Sequence, residues 1–342
     1  MQKLIDLRSD TVTRPVQEMK LAMKDAEVGD DVFGDDPTIN KLEQKVAELL
    51  QMDASLFVTS GTQSNLLALF SHCQRGDEYI AGQDAHSYLE EGGGGAILAS
   101  IQPQPIPNEP DGTLPIKKIN SLIKPDDFHF AQTRLVCLEN TWHGKPLPLK
   151  YIEEVSQLTQ ANGLALHLDG ARLFNAVVQQ KTDVKTVCKH FDSVSVCLSK
   201  GLGAPIGSVL CGSHELISKA RRWRKMLGGG WRQAGGLAAG GIYALTNHIQ
   251  RLEKDHYHAA LLAKYLEQIE ALTIENEPNR TNMVWIEMPQ HLLSPLKQFL
   301  LEQQILISVD DYPIRLVTHL DVDEESIERA GKAFQQFFET QH

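Results

Sequence analysis

The hydrophobic and polar positions of this chain follow two alternating spacings, and the alternation predicts an α/β fold. Short apolar runs of the type that forms buried strands occur at residues 54–60, 78–82, 134–140, 164–169, 193–199 and 207–212. Stretches with helical spacing lie between them, at residues 63–73, 150–163 and 213–227. Strands that alternate with helices in this way form a mostly parallel sheet with helices on both faces.

The pattern changes at about residue 250. A long helix, three strands and a last amphipathic helix are predicted at residues 256–272, 282–288, 305–309, 314–320 and from Asp323 onward, with a further helix after the first of these strands. We therefore expect a large domain over residues 31–249 and a smaller α+β domain over residues 250–342. The polar segment 1–30 is expected to pack on the small domain or on a partner subunit.

Composition and charge narrow the classes of function. The formal net charge of −11 argues against nucleic acid or an anionic membrane as the main partner. No segment approaches the apolar length of a membrane span, and the first ten residues lack the apolar core of a signal peptide. The five cysteines form no CxxC pair, so we expect free core cysteines and a reducing compartment, by default the cytoplasm.

One lysine, Lys200, interrupts the apolar run over residues 196–212, in the break between two predicted strands. A buried ammonium is costly unless it is paired or loses its charge. A lysine in such a setting is the nucleophile that Schiff-base chemistry needs. The alternative is that only its aliphatic stem is buried and the ammonium reaches water.

Polar residues also follow other predicted strands. Ser60, Gly61 and Thr62 open the helix after the first strand, where free N–H groups and the helix dipole bind anions such as phosphate, although an ordinary N-cap is equally compatible. His86 lies in the loop after the strand at 78–82. Its imidazole either stacks on a planar cofactor or is a solvated surface group.

Asp169 ends the predicted strand 164–169. Its carboxylate either holds a cationic ring nitrogen or caps the helix that begins near Ala171. His167 shares its strand face, which allows a supporting hydrogen bond or a histidine–carboxylate metal pair. Arg172 follows closely and could clamp a substrate carboxylate through two hydrogen bonds.

These residues share one edge of the predicted sheet. In open α/β sheets, ligands bind beyond the carboxyl ends of the strands. An anion site, a carboxylate for a ring nitrogen, a stacking imidazole and a strand-end lysine together describe a site for pyridoxal 5′-phosphate (PLP). Their order along the chain carries more weight than any single residue.

With these residues in place, the sequence resembles the low-specificity L-threonine aldolases of the aspartate-aminotransferase-like, fold-type I family. The motifs that carry the resemblance lie between residues 5 and 321 and read IDLRSDTVTRP, VGDDVFGDDPT, TSGTQSNLLAL, LHLDGARLFNA, LSKGLGAPIGS, RKMLGGGWRQAG and RLVTHLD. The resemblance implies PLP as cofactor, no metal, and reversible aldol cleavage of L-threonine, L-allo-threonine and other β-hydroxy-α-amino acids to glycine and an aldehyde. It also implies a homotetramer, a dimer of dimers with shared active sites.

The resemblance assigns roles to individual residues as well. It implies that Lys200 forms the Schiff base with PLP, that Asp169 binds the pyridine nitrogen and that His86 stacks on the ring. It also implies that the phosphate and the rest of the cofactor are bound by Gly61, Thr62, Arg172 and Arg232. The substrate roles it implies are the carboxylate for Ser9, Arg172 and Arg315, the β-hydroxyl for His129, and an approach to the site for Lys225. The base that takes the hydroxyl proton is His86, His129 or a water that one of them holds.

The chain departs from the family pattern at four positions. Trp142 and His143 stand where a histidine and an asparagine are common, Glu90 stands where an aromatic residue is common near the aldehyde pocket, and Trp231 replaces a common methionine. Such changes bear on side-chain preference rather than on the cofactor.

The sequence is also compatible with three other functions. The same scaffold supports other PLP reactions, such as β-elimination or racemisation. A metal-dependent enzyme built on His167 and Asp169 is the second alternative, and a catalytically inactive interaction protein with the same fold is the third.

Overall fold

The fold is known from a computed structural model, which describes residues 3–275, 280–310 and 312–340. The strands are β1 (Ile5–Asp6), β2 (Ala54–Val58), β3 (Glu78–Gly82), β4 (Gln102–Ile106), β5 (Thr133–Glu139), β6 (Ala165–Gly170), β7 (Ser193–Cys197), β8 (Ser208–Gly212), β9 (Thr273–Ile274), β10 (Met283–Glu287), β11 (Ile305–Leu306) and β12 (Ile314–Val317). The helices are α1 (Gln17–Lys24), α2 (Pro37–Leu50), α3 (Gly61–His72), α4 (His86–Leu89), α5 (Gly94–Ala99), α6 (Ile116–Leu122), α7 (Leu149–Ala161), α8 (Leu173–Gln179), α9 (Val184–Cys188), α10 (His214–Met226), α11 (Gly235–Asn247), α12 (Leu252–Leu266), α13 (Leu293–Glu302) and α14 (Glu324–Glu339).

The central sheet has seven strands in the order β2-β8-β7-β6-β5-β3-β4. Strands β4, β3, β5, β6 and β7 are parallel, which confirms the predicted α/β class with a mostly parallel sheet. Strand β8 is antiparallel to both β7 and β2, which the sequence analysis did not predict. The connection over residues 198–207 is too short for the helical crossover that a parallel neighbour requires, so β8 returns beside β7.

Most predicted strands appear with their ends shifted by one or two residues, and β3 has the predicted bounds. Strand β4 was not predicted, because Pro103 and Pro105 break the apolar pattern there. It lies at the edge of the sheet, where a missing N–H donor is tolerated. The predicted strand over 305–309 is shortened to the two residues of β11.

Buried apolar side chains form two large clusters. One covers the faces of the central sheet and includes Met19 of α1, which packs on α11. The other joins α12, α13 and α14 to β10 and β12 and includes Ile5 and Leu7. Strand β1 pairs with β11, so the first residues lie against the C-terminal elements while α1 lies against the sheet. The domain boundaries at residues 31 and 250 stay a prediction.

Two simpler expectations can be checked directly. All five cysteines are free and buried, as the sequence predicted. Within residues 3–275, 280–310 and 312–340, every helix is too short or too polar to cross a lipid bilayer.

Candidate active site

The carboxyl ends of the parallel strands bring together the polar residues of the site. Glu139 and Asp169 are direct neighbours across the β5–β6 ladder. Lys200 follows β7, and His86 begins α4 just after β3. Ligand atoms of His86, Glu91 and Asp169 all lie within 4.8 Å of one another. The predicted sheet edge therefore gathers the lysine, the carboxylate and the imidazole.

Asp169 is buried and held in place by two donors. Asn65 Nδ2 donates to its Oδ2 at 2.7 Å, and the Ala171 N–H donates to its Oδ1 at 3.0 Å. The hydrogen bond from the Ala171 N–H is the helix cap that the sequence analysis gave as the alternative role of Asp169. Asp169 therefore caps the helix and also belongs to the site. Since both oxygens accept hydrogen bonds, the carboxylate has one fixed orientation.

His86 is half-buried, and its ring and backbone contact two acidic residues. Its Nδ1 lies 2.9 Å from Glu91 Oε1, and its backbone N–H donates to Glu139 Oε2 at 2.8 Å. The hydrogen bond to Glu91 raises the pKa of His86 above its ordinary value. Burial raises the pKa of Glu139 to about 7, and the charge of Asp169 adds to this rise.

Lys200 lies in the tight turn that follows β7. Its carbonyl accepts hydrogen bonds from Thr13 Oγ1 at 3.0 Å and from the Gly203 N–H at 2.8 Å, which fixes the backbone. Its ammonium is close enough to the site to act electrostatically on His86, Glu139 and Asp10. The side chain is neither fully buried nor exposed.

The N-terminus of α3 combines a cap with a close approach of the backbone. Ser60 Oγ accepts from the Gln63 N–H at 3.2 Å, as an N-cap residue does. A Cβ at Gly61 would lie only 2.9 Å from Cys197 Sγ, so glycine is required there. Gly61 and Thr62 belong to the first turn of α3, where backbone N–H groups have no partner within the helix and where helices bind phosphate.

Arg172 forms a buried bidentate ion pair with Asp10. Its Nε donates to Asp10 Oδ2 at 2.9 Å and its Nη2 to Oδ1 at 2.7 Å, while Asn282 Nδ2 adds a third contact at 3.3 Å. Although burial opposes it, the charge and hydrogen bonds of Arg172 hold the pKa of Asp10 well below its usual range. Two of the five guanidinium N–H donors of Arg172 are therefore engaged with Asp10.

Ser9 and Arg315 come together from opposite ends of the chain. Both line one cavity of ≈ 350 Å³, with Arg8, Thr11, Val12, Ser308 and Asp310 as the other lining residues. The small cavity thus unites a hydroxyl and a guanidinium that the sequence assigned to the substrate carboxylate.

Three predicted site residues lie on the surface of the single chain. His129 is in an exposed turn, where its Nδ1 lies 2.6 Å from Asp127 Oδ1. Arg232 pairs with Asp30 at 3.0 Å. Lys225, in the last turn of α10, is exposed and packs against Gly230. The contacts described for this single chain do not join these three to Lys200.

His167 differs from the expectation. Its Nδ1 lies 2.8 Å from Ser193 Oγ and its Nε2 lies 3.2 Å from Asn65 Oδ1, so both ring nitrogens are occupied and neither contacts Asp169 directly. The link from the histidine to the carboxylate runs through Asn65. Since a metal ligand needs a free ring nitrogen, the predicted alternative of a His167–Asp169 metal pair does not match this geometry.

The four departures from the family pattern have different environments. Trp142 and His143 stack with ring centroids 4.1 Å apart, and His143 stacks further on Trp285 at 4.9 Å. Trp231 stacks on Phe57 at 5.6 Å, while Glu90 is exposed at the end of α4. The two tryptophans therefore pack against aromatic neighbours in this chain.

Sequence reasoning missed four site residues, namely Asp10, Asn65, Glu91 and Glu139. Asp10, Asn65 and Glu139 lie within or beside segments already singled out, and the signal for them was a polar residue in an apolar or strand-ending position. Glu91 follows His86 by five residues in an irregular segment, where no periodicity applies.

Similarity to known proteins places this chain among the lyases of the PLP-dependent fold-type I group. The family model of the beta-eliminating lyases matches residues 6–289. The low specificity L-threonine aldolase of Escherichia coli K12 is 50% identical over 334 residues, which cover 98% of this chain and 99% of that protein. The low-specificity L-threonine aldolase 1 of Arabidopsis thaliana is 40% identical, with 98% of this chain and 97% of that protein covered. This chain belongs to the low-specificity L-threonine aldolase family.

A solved structure supports the fold. The threonine aldolase of Leishmania major superposes with a TM-score of 0.81 at 20% identity, covering 97% of this chain and 99% of that one. The fold and the family membership predicted from the motifs are both confirmed.

The residues present fit PLP on structural grounds. Gly61 leaves no room for a side chain beside Cys197, so the first turn of α3, the turn type that binds phosphate, packs against the end of β7 three residues before Lys200. Ser195, the neighbour of Asp169 across the β6–β7 ladder, has a buried hydroxyl with no hydrogen-bond partner among the described residues, and so has Ser64 of α3. A buried hydroxyl without a partner calls for an explanation, and a bound molecule nearby is one.

Proposed function

We propose that this chain binds PLP at the strand ends and catalyses the aldol cleavage of L-threonine, L-allo-threonine and related β-hydroxy-α-amino acids. The observation that carries the proposal is the meeting of Lys200, Asp169 and His86 at one sheet edge, beside the N-terminus of α3. The relatives named as threonine aldolases, similar over nearly the whole chain, support the reaction.

Each residue near the cofactor has a separate task. Bound PLP would supply an electron sink for the electron pair of the broken Cα–Cβ bond. Lys200 supplies the amine that attaches the cofactor. Asp169, fixed by Asn65, keeps a proton on the pyridine nitrogen, while Gly61 and Thr62 donate their N–H groups to the phosphate.

The substrate side of the site orients the amino acid and moves two protons. Ser9 and Arg315 bind its carboxylate, and Asp10, which follows Ser9 in the chain, holds Arg172 through a bidentate ion pair. This grip turns the Cα–Cβ bond into the orientation in which it breaks. His86 or His129 takes the β-hydroxyl proton, and Cα gains a proton, so that threonine yields glycine and acetaldehyde.

We further propose a homotetramer of two dimers in the cytoplasm. Residues that the family places at the site but that are exposed in the single chain, namely His129, Lys225 and Arg232, support sites completed between subunits. Five free, buried cysteines are typical of proteins from a reducing compartment.

Replacement of the lysine tests the cofactor assignment. After borohydride reduction and digestion, we expect the pyridoxyl label on the peptide with Lys200, and we expect Lys200→Ala to lose both the label and glycine release. Lys219→Ala, at an exposed lysine paired with Glu215 on α10, is the matched control and should retain both. Parental glycine release by Lys200→Ala with bound cofactor would contradict the proposal.

Replacement of the ring-nitrogen carboxylate tests the electron sink. Asp169→Ala should lose most of its kcat, because the pyridine nitrogen then has no carboxylate to keep it protonated. The assay measures glycine and acetaldehyde from L-threonine and L-allo-threonine alongside 2-oxo acids. Formation of 2-oxo acids without glycine would point to the β-eliminating alternative.

A further inference from the structure

Glu91 is a buried carboxylate to which neither the sequence analysis nor the proposed mechanism gives a task. The residue is 7% exposed and lies just after α4. Its Oε1 contacts Asn65 Nδ2 at 2.8 Å and His86 Nδ1 at 2.9 Å, and its Oε2 is buried with no hydrogen-bond partner in the described part of the chain. A buried carboxylate is costly, so its retention at this edge needs a reason.

Asn65 connects Glu91 to the carboxylate that faces the pyridine ring. Its Nδ2 donates one proton to Glu91 Oε1 and the other to Asp169 Oδ2. Because the amide nitrogen serves two carboxylates, the amide oxygen must accept, and it does so from His167 Nε2 at 3.2 Å. One amide group therefore links the two carboxylates and fixes the position of both.

An ionised Glu91 decides which nitrogen of His86 carries a proton. A carboxylate oxygen can only accept, so Nδ1 of His86 must be protonated, and Nε2 is the nitrogen left for another partner. A buried carboxylate that orients an imidazole through Nδ1–H is the arrangement that prepares a histidine as a general base.

The charged groups around His86 raise its pKa in some cases and lower it in others. The hydrogen bond to Glu91 raises the pKa of His86, burial opposes it, the charge of Asp169 raises it further, and the charge of Lys200 lowers it. Glu139 faces the same residue and accepts its backbone N–H. Burial and the charge of Asp169 raise the pKa of Glu91 above its ordinary value, although the hydrogen bonds from His86 and Asn65 oppose this rise.

We propose that Glu91 is a positioning residue that acts through His86: it fixes the Nδ1–H form and turns Nε2 toward the β-hydroxyl of the substrate. The inference rests on the proposed function and deepens it: it favours His86 over His129 as the base, because the carboxylate that contacts Nδ1 is buried for His86 and exposed for His129, where it belongs to Asp127. Asn65 supports it by donating a hydrogen bond to the same Glu91 oxygen that contacts His86.

Two variants separate charge from geometry. Glu91→Gln can retain both acceptor contacts through its amide oxygen but removes the charge, so His86 should keep the Nδ1–H form and titrate at lower pH. Glu91→Met removes the acceptor, so His86 should move toward the Nε2–H form. Glu43→Gln is the matched control, since Glu43 is another buried glutamate with a pKa raised by burial that contacts Phe57 and Arg221 instead.

The measurement is nitrogen NMR of ¹⁵N-histidine-labelled holoenzyme, with the His86 signal assigned by its loss in His86→Gln. We expect the neutral His86 of the unmodified chain to carry its proton on Nδ1, and this result does not depend on the variants folding. An Nε2–H signal in the unmodified chain, or the same tautomer and titration in Glu91→Met, would overturn the inference.

The steady-state rates give a second readout. For Glu91→Met we expect kcat for L-threonine cleavage to fall about tenfold or more with little change in KM, because general-base assistance is lost while carboxylate binding remains. Since the NMR experiment contains no substrate, its failure is distinguishable from a failure of aldol cleavage. Unchanged kcat in a folded Glu91→Met with a changed His86 tautomer would also overturn the role.

Discussion

Asp10 and Arg172 form an ion pair that is shielded from solvent on both sides. The Asp10 side chain is 0% exposed and that of Arg172 is 11% exposed. Removing one member of such a pair leaves the other charge buried, which typically costs about 3–5 kcal/mol. We therefore expect Asp10→Ala to lower the free energy of unfolding by about this amount in urea titrations.

Exposed ion pairs provide the control for this prediction. Lys3 and Asp323 form one at 2.7 Å with both side chains more than half exposed, and such pairs contribute little. Lys3→Ala should change the free energy of unfolding far less than Asp10→Ala does. Equal effects of the two variants would show that burial of the Asp10–Arg172 pair has no energetic consequence.

Individual residues also show which parts of the site can be predicted from the sequence. Lys200, Asp169 and His86 were found because each lies at or after the carboxyl end of a strand, and strand ends are visible in the apolar pattern. The contacts that orient them were not, since Asn65 reaches Asp169 across 104 residues of sequence. A hydrogen bond between distant segments leaves no periodic signal, so Asn65 and Glu91 emerge only from the structure.

The proposed phosphate site lies at the first turn of α3. The backbone of this turn lies close to the end of β7. Gly61→Ala would place a Cβ 2.9 Å from Cys197 Sγ, and the turn would have to shift. We expect this variant to bind PLP more weakly in an equilibrium titration of the apoprotein. Adding Cys197→Ala removes the obstructing sulfur and should restore much of the affinity.

The double variant Gly61→Ala/Cys197→Ala also shows whether weaker PLP binding results from the steric clash with the sulfur or from another cause. If Gly61→Ala binds PLP as the unmodified chain does, the turn does not contact the phosphate. If Cys197→Ala fails to restore binding, the loss has another origin than contact with the sulfur. Cys197→Ala alone serves as the control for the lost thiol.

The strands that were predicted correctly are those whose sequence pattern lies within the strand itself. The bounds of β3 follow from an uninterrupted apolar run between turn residues. The antiparallel direction of β8 and the edge strand β4 depend on neighbours that the chain supplies elsewhere, so a single segment cannot reveal them. The short β1–β11 pair is likewise set by tertiary contact between the two ends of the chain.

The whole molecule holds several buried ionisable groups whose proton affinities differ from those of the unfolded chain. Burial lowers the pKa of His72 to about 4, of His167 to about 3 and of His256 to about 4. Burial raises the pKa of Glu139 and of Asp255 to about 7. The two sets have opposite effects on stability as the pH changes.

These shifts predict a maximum of stability near pH 6.5. Below about pH 6.5 the unfolded chain protonates the three histidines and the folded chain does not, whereas the folded chain holds the two carboxyl protons. For these five groups, the net difference of one proton lowers the free energy of unfolding by about 1.4 kcal/mol per pH unit down to about pH 4.5. Above pH 6.5 the two carboxyl groups lose their protons in the folded chain, and the stability they contribute at lower pH is lost as the pH rises through 7.

Urea unfolding of the holoenzyme from pH 4.5 to 8.5, at one protein concentration, measures this dependence, because both assembly and cofactor shift apparent stability. Asp255→Asn isolates the alkaline side, since Asp255 pairs with Arg251 on α12 and belongs to none of the proposed cofactor contacts. This variant should lose less stability than the unmodified chain between pH 6.5 and 8. A free energy of unfolding that rises steadily through pH 8, or parallel curves for the two proteins, would mean that these carboxyl groups are ionised in the folded chain well below pH 7.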